Sequence, residues 1–571
     1  MRLVKTNLTY RDVQPKIREL IDNLFKRVPA GVGSEGFVRL NKQEFRTVIE
    51  DGAGWCVKNN YGWEEDLEFT EANGCMKDAD SNKVSNKSIE RGMNQIGTLG
   101  SGNHYLEIQR VKEENIFDHQ IAKKLGLFND QIVIMFHCLP GNTKILTEHG
   151  CWIKIKDLEN KEIKIKCFDP ITHDVLDTEI EAFYKISKKE NMYKIKTKNG
   201  KEITATEDHP FLTKNGLKLI NELQIGEKVS VLPYEGVEYE EPMTEIIINE
   251  GDIRKIHNSD IIIRELKEKK LLPLKMNSWQ LPILTKLVGY ITGDGHLRKA
   301  GRGWRTFILG DEIDLKEIMR DIQTLGFKTS KIKHRRTKGI IKTVNQKEIL
   351  IEGNANYIEC NSSALNLILL NLGVPKGKKT ALEFNVPKWI LNSPLWLKRI
   401  YLASFFGAEL THPVLLKNEV NFERPSLAVY KIKDLETNGR EFLQSIKNLL
   451  NEFEVNSQVI KEKNGGRITK LGETVKLVLR ISSEISNQIK FLNKIGYEYC
   501  KRKIIEGSHA LEYLQNKFTF LDLESKLRKK PLEKVRCIEF KKRIFQIPTF
   551  NDFFVSLRYN PPTSVLFDEI I

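Results

Sequence analysis

Two stretches of this chain match each other, and no other feature restricts its fold so tightly. LVGYITGDG (287–295) aligns with LASFFGAEL (402–410), placing Gly289 over Ser404, Gly293 over Ala408 and Asp294 over Glu409. The match resumes downstream, where NSSALNLILLNLGVPKGKK (361–379) parallels ISSEISNQIKFLNKIGYEYCKRK (481–503), each reading as a helix that ends in a glycine and a basic cluster. A repeat requires the same order of elements to be built twice, and two copies are too few for a solenoid. Residues 286–505 are therefore predicted to form a pseudo-symmetric pair of α/β halves.

Small residues four apart lie on one helix face and let a second helix approach until the backbones nearly touch. Packing the two repeat helices in this way would bring Asp294 and Glu409 together at one end. A carboxylate at a helix C-terminus is opposed by the helix dipole, and a divalent cation is the expected compensation, with Mg²⁺ suited to oxygen ligands at a phosphodiester. The basic, aromatic-flanked segments LRKAGRGWRTF (297–307), KTSKIKHRRTKGIIK (328–342) and KEKNGGRITK (461–470) would grip phosphates. A net charge of +15 agrees with a polyanionic partner. The pattern resembles the LAGLIDADG homing endonucleases. That resemblance implies double-stranded DNA as partner, Asp294 and Glu409 as catalytic Mg²⁺ ligands, and Lys379 as an assisting basic residue. Ser404 and Ala408 stand where glycine is commoner in the family, so the alternative is a DNA-binding protein of the same fold without cleavage activity.

From Cys138 to about residue 235 the texture is all-β, with short alternating strands and an Asn199-Gly200 pair that signals a type I′ hairpin. Cys138 opens CLPGNTKIL, and TATEDHPFLT (204–213) carries Thr206 and His209. A thiol can attack the preceding carbonyl when a hydroxyl and an imidazole polarise that peptide bond and protonate its leaving nitrogen. This segment resembles an intein of the Hint fold. By that resemblance Cys138 is the first splicing residue, Thr206 and His209 are its Thr-x-x-His motif, and an inserted endonuclease is expected. The chain ends NPPTSVLFDEII, which reads as the strand where the Hint domain resumes; no His-Asn pair follows, so the chain is expected to be cut short and unable to complete splicing.

Residues 9–28 place apolar side chains at helical spacing, PAGVGSEG (29–36) ends that helix, and GTLGSGNHYLEIQRV (97–111) and QIVIMFH (131–137) read as a glycine-led strand and a buried strand. With DGAGWCVKNNYGWEEDLE (51–68), they resemble the RtcB-type RNA ligases. That family uses Mn²⁺ and GTP to join RNA 3′-phosphate or 2′,3′-cyclic phosphate ends to 5′-hydroxyls, tRNA halves included. The resemblance implies His104 and His137 as Mn²⁺ ligands and Asn103 as a contact to the nucleotide phosphates. The family's Asp-x-x-Cys motif would precede Met1 and its guanylylated histidine would follow residue 571, so this chain is not expected to ligate RNA.

The expected architecture is multidomain: an α/β ligase fragment (1–137), an all-β Hint half (138–235), a helical linker (236–285), the α/β endonuclease (286–505), a helical tail (506–561) and a returning Hint strand (562–571). Eight cysteines without a Cys-x-x-Cys pair argue against a disulfide framework or a zinc ribbon. The absence of a membrane-length apolar run or a secretory leader makes the cytoplasm the expected compartment.

Overall fold

The computed structural model describes residues 2–27, 38–64, 67, 70–93, 96–98, 107–113, 116, 119–124, 126–136, 142–159, 161, 163–168, 175–180, 192–206, 209–213, 216–301, 303–417, 420–463, 465–529, 551 and 566–570. Its first part is a three-stranded antiparallel sheet with Gln131–Phe136 between Arg2–Thr9 and Glu107–Arg110. Around it lie helices Ile17–Arg27, Lys42–Asp51 and Asn86–Met93. Lys42–Asp51 starts at a reciprocal cap in which Asn41 Oδ1 accepts from Gln43 and Glu44, while Glu44 accepts from the Asn41 amide.

The second part consists of short strands, as alternation demands. Lys144–Leu146 pairs with Cys151–Lys154, and Met192–Lys196 pairs with Glu202–Thr206. The latter hairpin departs from the expected turn. Gly200 has φ +83° but Asn199 is not among the positive-φ residues. The Gly200 amide donates to Thr197 O at 2.9 Å and the Thr197 amide to Lys201 O at 2.9 Å. This is a type I turn followed by a glycine bulge, because a type I′ turn needs positive φ at both central residues. Strand Lys228–Val231 takes a distant partner, Leu566–Glu569, in antiparallel register from Lys228↔Glu569 to Val231↔Leu566.

The connecting segment is packed rather than free. Helices Glu250–Ile256 and Asp260–Glu268 bury Ile253, Ile263 and Leu266 in the main apolar cluster, where they join Ile248 and Leu274 of the short antiparallel strand pair that brackets them.

The repeat then unfolds as two α/β halves. The first comprises α1 (Leu281–Asp294), β1 (Gly295–Ala300), β2 (Gly303–Leu309), α2 (Glu312–Thr324), β3 (Lys333–Thr343), β4 (Glu348–Cys360) and α3 (Ser363–Asn371). The second comprises α4 (Leu395–Glu409), β5 (Ser426–Ile432), α5 (Glu436–Glu452), β6 (Ser457–Lys461), β7 (Arg467–Thr469), β8 (Gly472–Ile481) and α6 (Ile485–Lys494). The two half-sheets join into one eight-stranded sheet of order β1-β2-β4-β3-β7-β8-β5, with β6 also on β8; the join is Lys342↔Ile468 and Thr343↔Arg467. Even polar details repeat. Buried Asn366 on α3 donates to Ser362 O at 2.8 Å, and buried Asn487 on α6 donates to Ser482 O at 3.2 Å, each closing the turn before its helix. A long helix, α7 (Lys501–Lys529), follows. Among the described residues no helix is long and apolar enough to cross a membrane.

Candidate active site between two packed helices

Helices α1 and α4 bury residues around almost their whole circumference, the signature of helices inside a core. They approach through the small residues that the repeat aligns. A Cβ on Gly289 would stand 2.6 Å from Tyr401 O and 3.0 Å from Ser404 Cβ; one on Gly293 would stand 2.5 Å from Ala408 Cβ. Residues aligned in the repeat therefore touch each other, as they must at a pseudo-dyad. Ser404 spans the seam, its Oγ donating to Lys286 O at 2.5 Å.

The two acids meet at the C-terminal ends. The Cβ position of Gly293 is 2.8 Å from Glu409 Cγ and 3.6 Å from Glu409 Oε1. Asp294 reaches solvent at the mouth of the cleft, whereas Glu409 is half-buried. Burial, and then the neighbouring Asp294, push the Glu409 carboxyl up to about 6. Burial also raises Asp294, with Lys379 and Lys503 opposing the rise.

The expected counter-charge to the helix dipoles proves to be built into the protein. Lys379 Nζ donates to Ile291 O at 3.2 Å, to Thr292 O at 2.8 Å and to Gly293 O, capping α1. Lys503 Nζ donates to Phe406 O at 3.2 Å, Gly407 O at 2.6 Å and Ala408 O at 3.4 Å, capping α4 in the same way. Burial lowers the pKa of both lysines, and both carboxylates act against that lowering. The dipole argument thus selects ammonium groups where a metal ion alone was expected, because the carbonyls at a helix end offer three acceptors to one ammonium. Lys503 escaped the sequence reading, although the repeat ends on Lys379 in one copy and on Lys503 in the other. Among the described residues no three His, Cys, Asp or Glu side chains converge on a metal position. The fit for a hard cation is a carboxylate pair with remaining oxygens from substrate and water, a donor set that suits Mg²⁺.

One sheet face flanks this cleft. Arg298 on β1 lies over the Phe307 ring on β2 at 4.8 Å, and Arg467 on β7 lies over Tyr430 on β5 at 4.0 Å. Glu359 is held by Lys333 at 2.9 Å and by Arg305 at 3.9 Å. His334, Arg335 and Arg336 of the KHRR run stand exposed on β3. Opposite signs interspersed with aromatic planes form a surface that can position a phosphate backbone and read base edges.

The residues of the other expected sites are placed less completely. Thr206 is the last residue of strand Glu202–Thr206, and His209 opens the next described segment, with residues 207 and 208 outside the described ones. Burial lowers the His209 imidazole, which meets the Phe211 ring edge-on at 5.3 Å. Cys138, Asn103, His104 and His137 lie outside the described residues.

The tRNA-splicing ligase RtcB family matches residues 1–167, and the intein splicing domain family matches residues 144–462, more than half of the chain. The DNA-directed RNA polymerase subunit Rpo1N of Methanocaldococcus jannaschii is 34% identical over 395 residues, 67% of this chain and 29% of that protein. The tRNA-splicing ligase RtcB of Thermococcus kodakarensis is 52% identical over 137 residues, 24% of this chain and 28% of that protein. Among solved structures, the homing endonuclease I-WcaI bound to its DNA recognition sequence is 17% identical, covering 42% of this chain and 91% of that one at a TM-score of 0.24. The chain spans less than half the length of these curated relatives.

Proposed function

The chain belongs to the intein splicing family, and from that premise we propose that it is part of a precursor in which a splicing intein, itself carrying a DNA endonuclease, interrupts an RtcB-type RNA ligase. Two relatives support the division. An RNA polymerase subunit aligns with this chain over 395 residues, whereas a ligase aligns over 137, so the longer segment occurs in hosts of unrelated chemistry.

The endonuclease reading is carried by one observation: Asp294 and Glu409 meet at two helix ends, each capped by a half-buried lysine. The substrate is double-stranded DNA, laid across β1 to β8. A Mg²⁺ ion held by Asp294 and Glu409 would supply Lewis acidity at the scissile phosphodiester. Lys379 and Lys503 keep positive potential beside the carboxylates where a phosphate arrives, and the exposed basic strand positions its neighbours along the duplex. The test is cleavage of a plasmid bearing the uninterrupted ligase gene, with Asp294→Asn as control. Binding without cleavage by the unaltered chain would favour the reading as a DNA-binding protein only.

In the splicing part, Cys138 attacks the carbonyl carbon of His137. The Cys138–His137 thioester forms, the peptide C–N bond breaks, and the thiol proton ends on the released Cys138 amine. Thr206 and His209 polarise and protonate that peptide. Release of the host fragment by a small thiol, abolished in Cys138→Ala, tests this step. In the host part, His104 and His137 would bind Mn²⁺ and Asn103 the GTP phosphates, in an enzyme that joins RNA ends. Neutral strand-end imidazoles suit that metal. The proposed compartment is the cytoplasm, with which the free thiols of the described cysteines agree.

A further inference from the structure

The open face of the eight-stranded sheet carries the same device in each half. On β2, Trp304, Thr306 and Ile308 are buried, so the alternate residues Arg305 and Phe307 face outward. Phe307 stands opposite Glu359 in the strand register, and Lys333 stands opposite Tyr357, which shares the face of Glu359 two residues on. The Glu359 carboxylate accepts from Lys333 Nζ at 2.9 Å and lies 3.9 Å from Arg305 Nη1. In the second half, Lys476 and Arg480 are the half-buried outward residues of β8. Glu462, between β6 and β7, pairs with Lys476 and, at 3.2 Å, with Arg480. Tyr430 stands opposite Lys476 and carries Arg467 on its ring, as Phe307 carries Arg298. Each half thus sets a carboxylate between two cations, beside an aromatic ring covered by a third.

A sheet that only grips phosphates has no use for these acids. A carboxylate there repels the DNA backbone, and an ion pair at the surface adds little to stability. Its effect is on direction: an unheld Lys or Arg side chain can meet any phosphate, whereas one tied to a fixed carboxylate keeps its remaining N–H groups pointed one way. The side chains of Lys333 and Arg305 are 45% and 43% exposed and that of Glu359 only 11%, so the acid lies beneath the two cations and presents them outward. Outward donors match guanine, whose O6 and N7 both accept in the major groove, and clash with adenine, whose N6 amino group donates. Glu462 is 33% exposed, close to Arg480 at 38%, and can itself accept from the cytosine N4 of such a pair. Because both acids also repel the backbone, they weaken every complex in which the bases do not compensate, which raises discrimination.

We propose that Glu359 and Glu462 are positioning residues that set DNA specificity, each making its half of the sheet select a G·C pair over an A·T pair. The proposal rests on the reading of the repeat as a module laid on duplex DNA, and adds to it one required G·C pair on each side of the cleavage centre. The full chain, kept in a chelator to prevent cleavage, is used to select binders from a duplex library randomised across the junction of the uninterrupted ligase gene. The unaltered chain is expected to enrich a G·C pair at one position in each half-site, and changing either to A·T should weaken binding about 5- to 100-fold. Glu359→Gln is expected to reduce the preference at one of these positions to about threefold or less, and Glu462→Gln at the other. Binding to the A·T duplexes should strengthen in both variants, a change that loss of a purely structural contact would not produce. Glu352→Gln is the control: Glu352 pairs with Lys338 at 2.7 Å on the opposite face of β4 and should leave both preferences intact. Should Glu359→Gln misfold, Lys333→Gln removes one of the held cations and is expected to lose the same preference. Selected duplexes with no G·C position in either half overturn the proposal while leaving DNA binding in place. So do preferences unchanged in either folded Glu variant or, where Glu359→Gln misfolds, in Lys333→Gln. An unaltered chain that binds no duplex would instead remove the DNA reading, and the proposal with it.

Discussion

Replacing Glu409 by glutamine should stabilise the metal-free protein at neutral pH while abolishing DNA cleavage. Burial and Asp294 move the Glu409 carboxyl from 4.5 to about 6, a differential of about 2 kcal/mol between its two protonation states. Glu409 is half-buried, so solvent screening reduces the usable figure to about 1–2 kcal/mol. The sign follows from linkage: a carboxyl whose folded pKa is raised lends stability in its protonated form. That contribution is fully present below pH 4.5 and is lost as pH rises through about 6. Above pH 7 the unaltered protein therefore holds two ionised carboxylates side by side, and glutamine, neutral at every pH, removes one of them. Calorimetric scans in a chelator should show equal melting temperatures near pH 4. At pH 8 the variant should melt higher by about 2–8 °C, given roughly 2–4 °C per kcal/mol for a unit of this size. Adding Mg²⁺ should raise the unaltered protein and not the variant. A difference independent of pH, or an unaltered protein more stable at pH 8, would refute the claim that the two acids crowd each other.

Gly289→Val should destabilise the helix pair by about 1–3 kcal/mol, read from the denaturation midpoint, because the new Cβ meets Tyr401 O at 2.6 Å and the helices must part. Lys503→Met should cost about 1–2 kcal/mol by uncapping three carbonyls of α4 and should slow cleavage about 10-fold or more in a plasmid assay. Raising salt from 50 to 200 mM should weaken duplex binding by about 10³-fold if the basic strands contact six or more phosphates; a flat titration would place DNA elsewhere.

The helix seam was legible because its signal is local: Gly289, Gly293, Ser404 and Ala408 recur at one spacing, and that spacing alone brings the acids together. Lys503 was not, because its role depends on where α7 begins relative to the end of α4, and only the repeat register hinted at it. The Asn199-Gly200 pair suggested the wrong turn, since the preference of that dipeptide for type I′ is weaker than the register imposed by the flanking strands. Nothing in the sequence singles out Arg399 on its apolar helix. Its partners His149, Tyr234 and Glu498 lie far from it in sequence, and no periodicity links them.

The pairing of Lys228–Val231 with Leu566–Glu569 has a kinetic consequence. A strand whose partner lies more than three hundred residues downstream waits, at roughly 5–20 residues per second, for tens of seconds while the ribosome makes the intervening module. Its loop-closure entropy grows only as the logarithm of that length, provided the module folds first and brings its two ends together. Until then the edge of Lys228–Val231 stays open to other strands, a hazard for the nascent chain. Rapid folding of the repeat, whose helix α4 grips the Thr147–Gly150 turn through Arg399, shortens that exposure and orders the assembly of the whole chain.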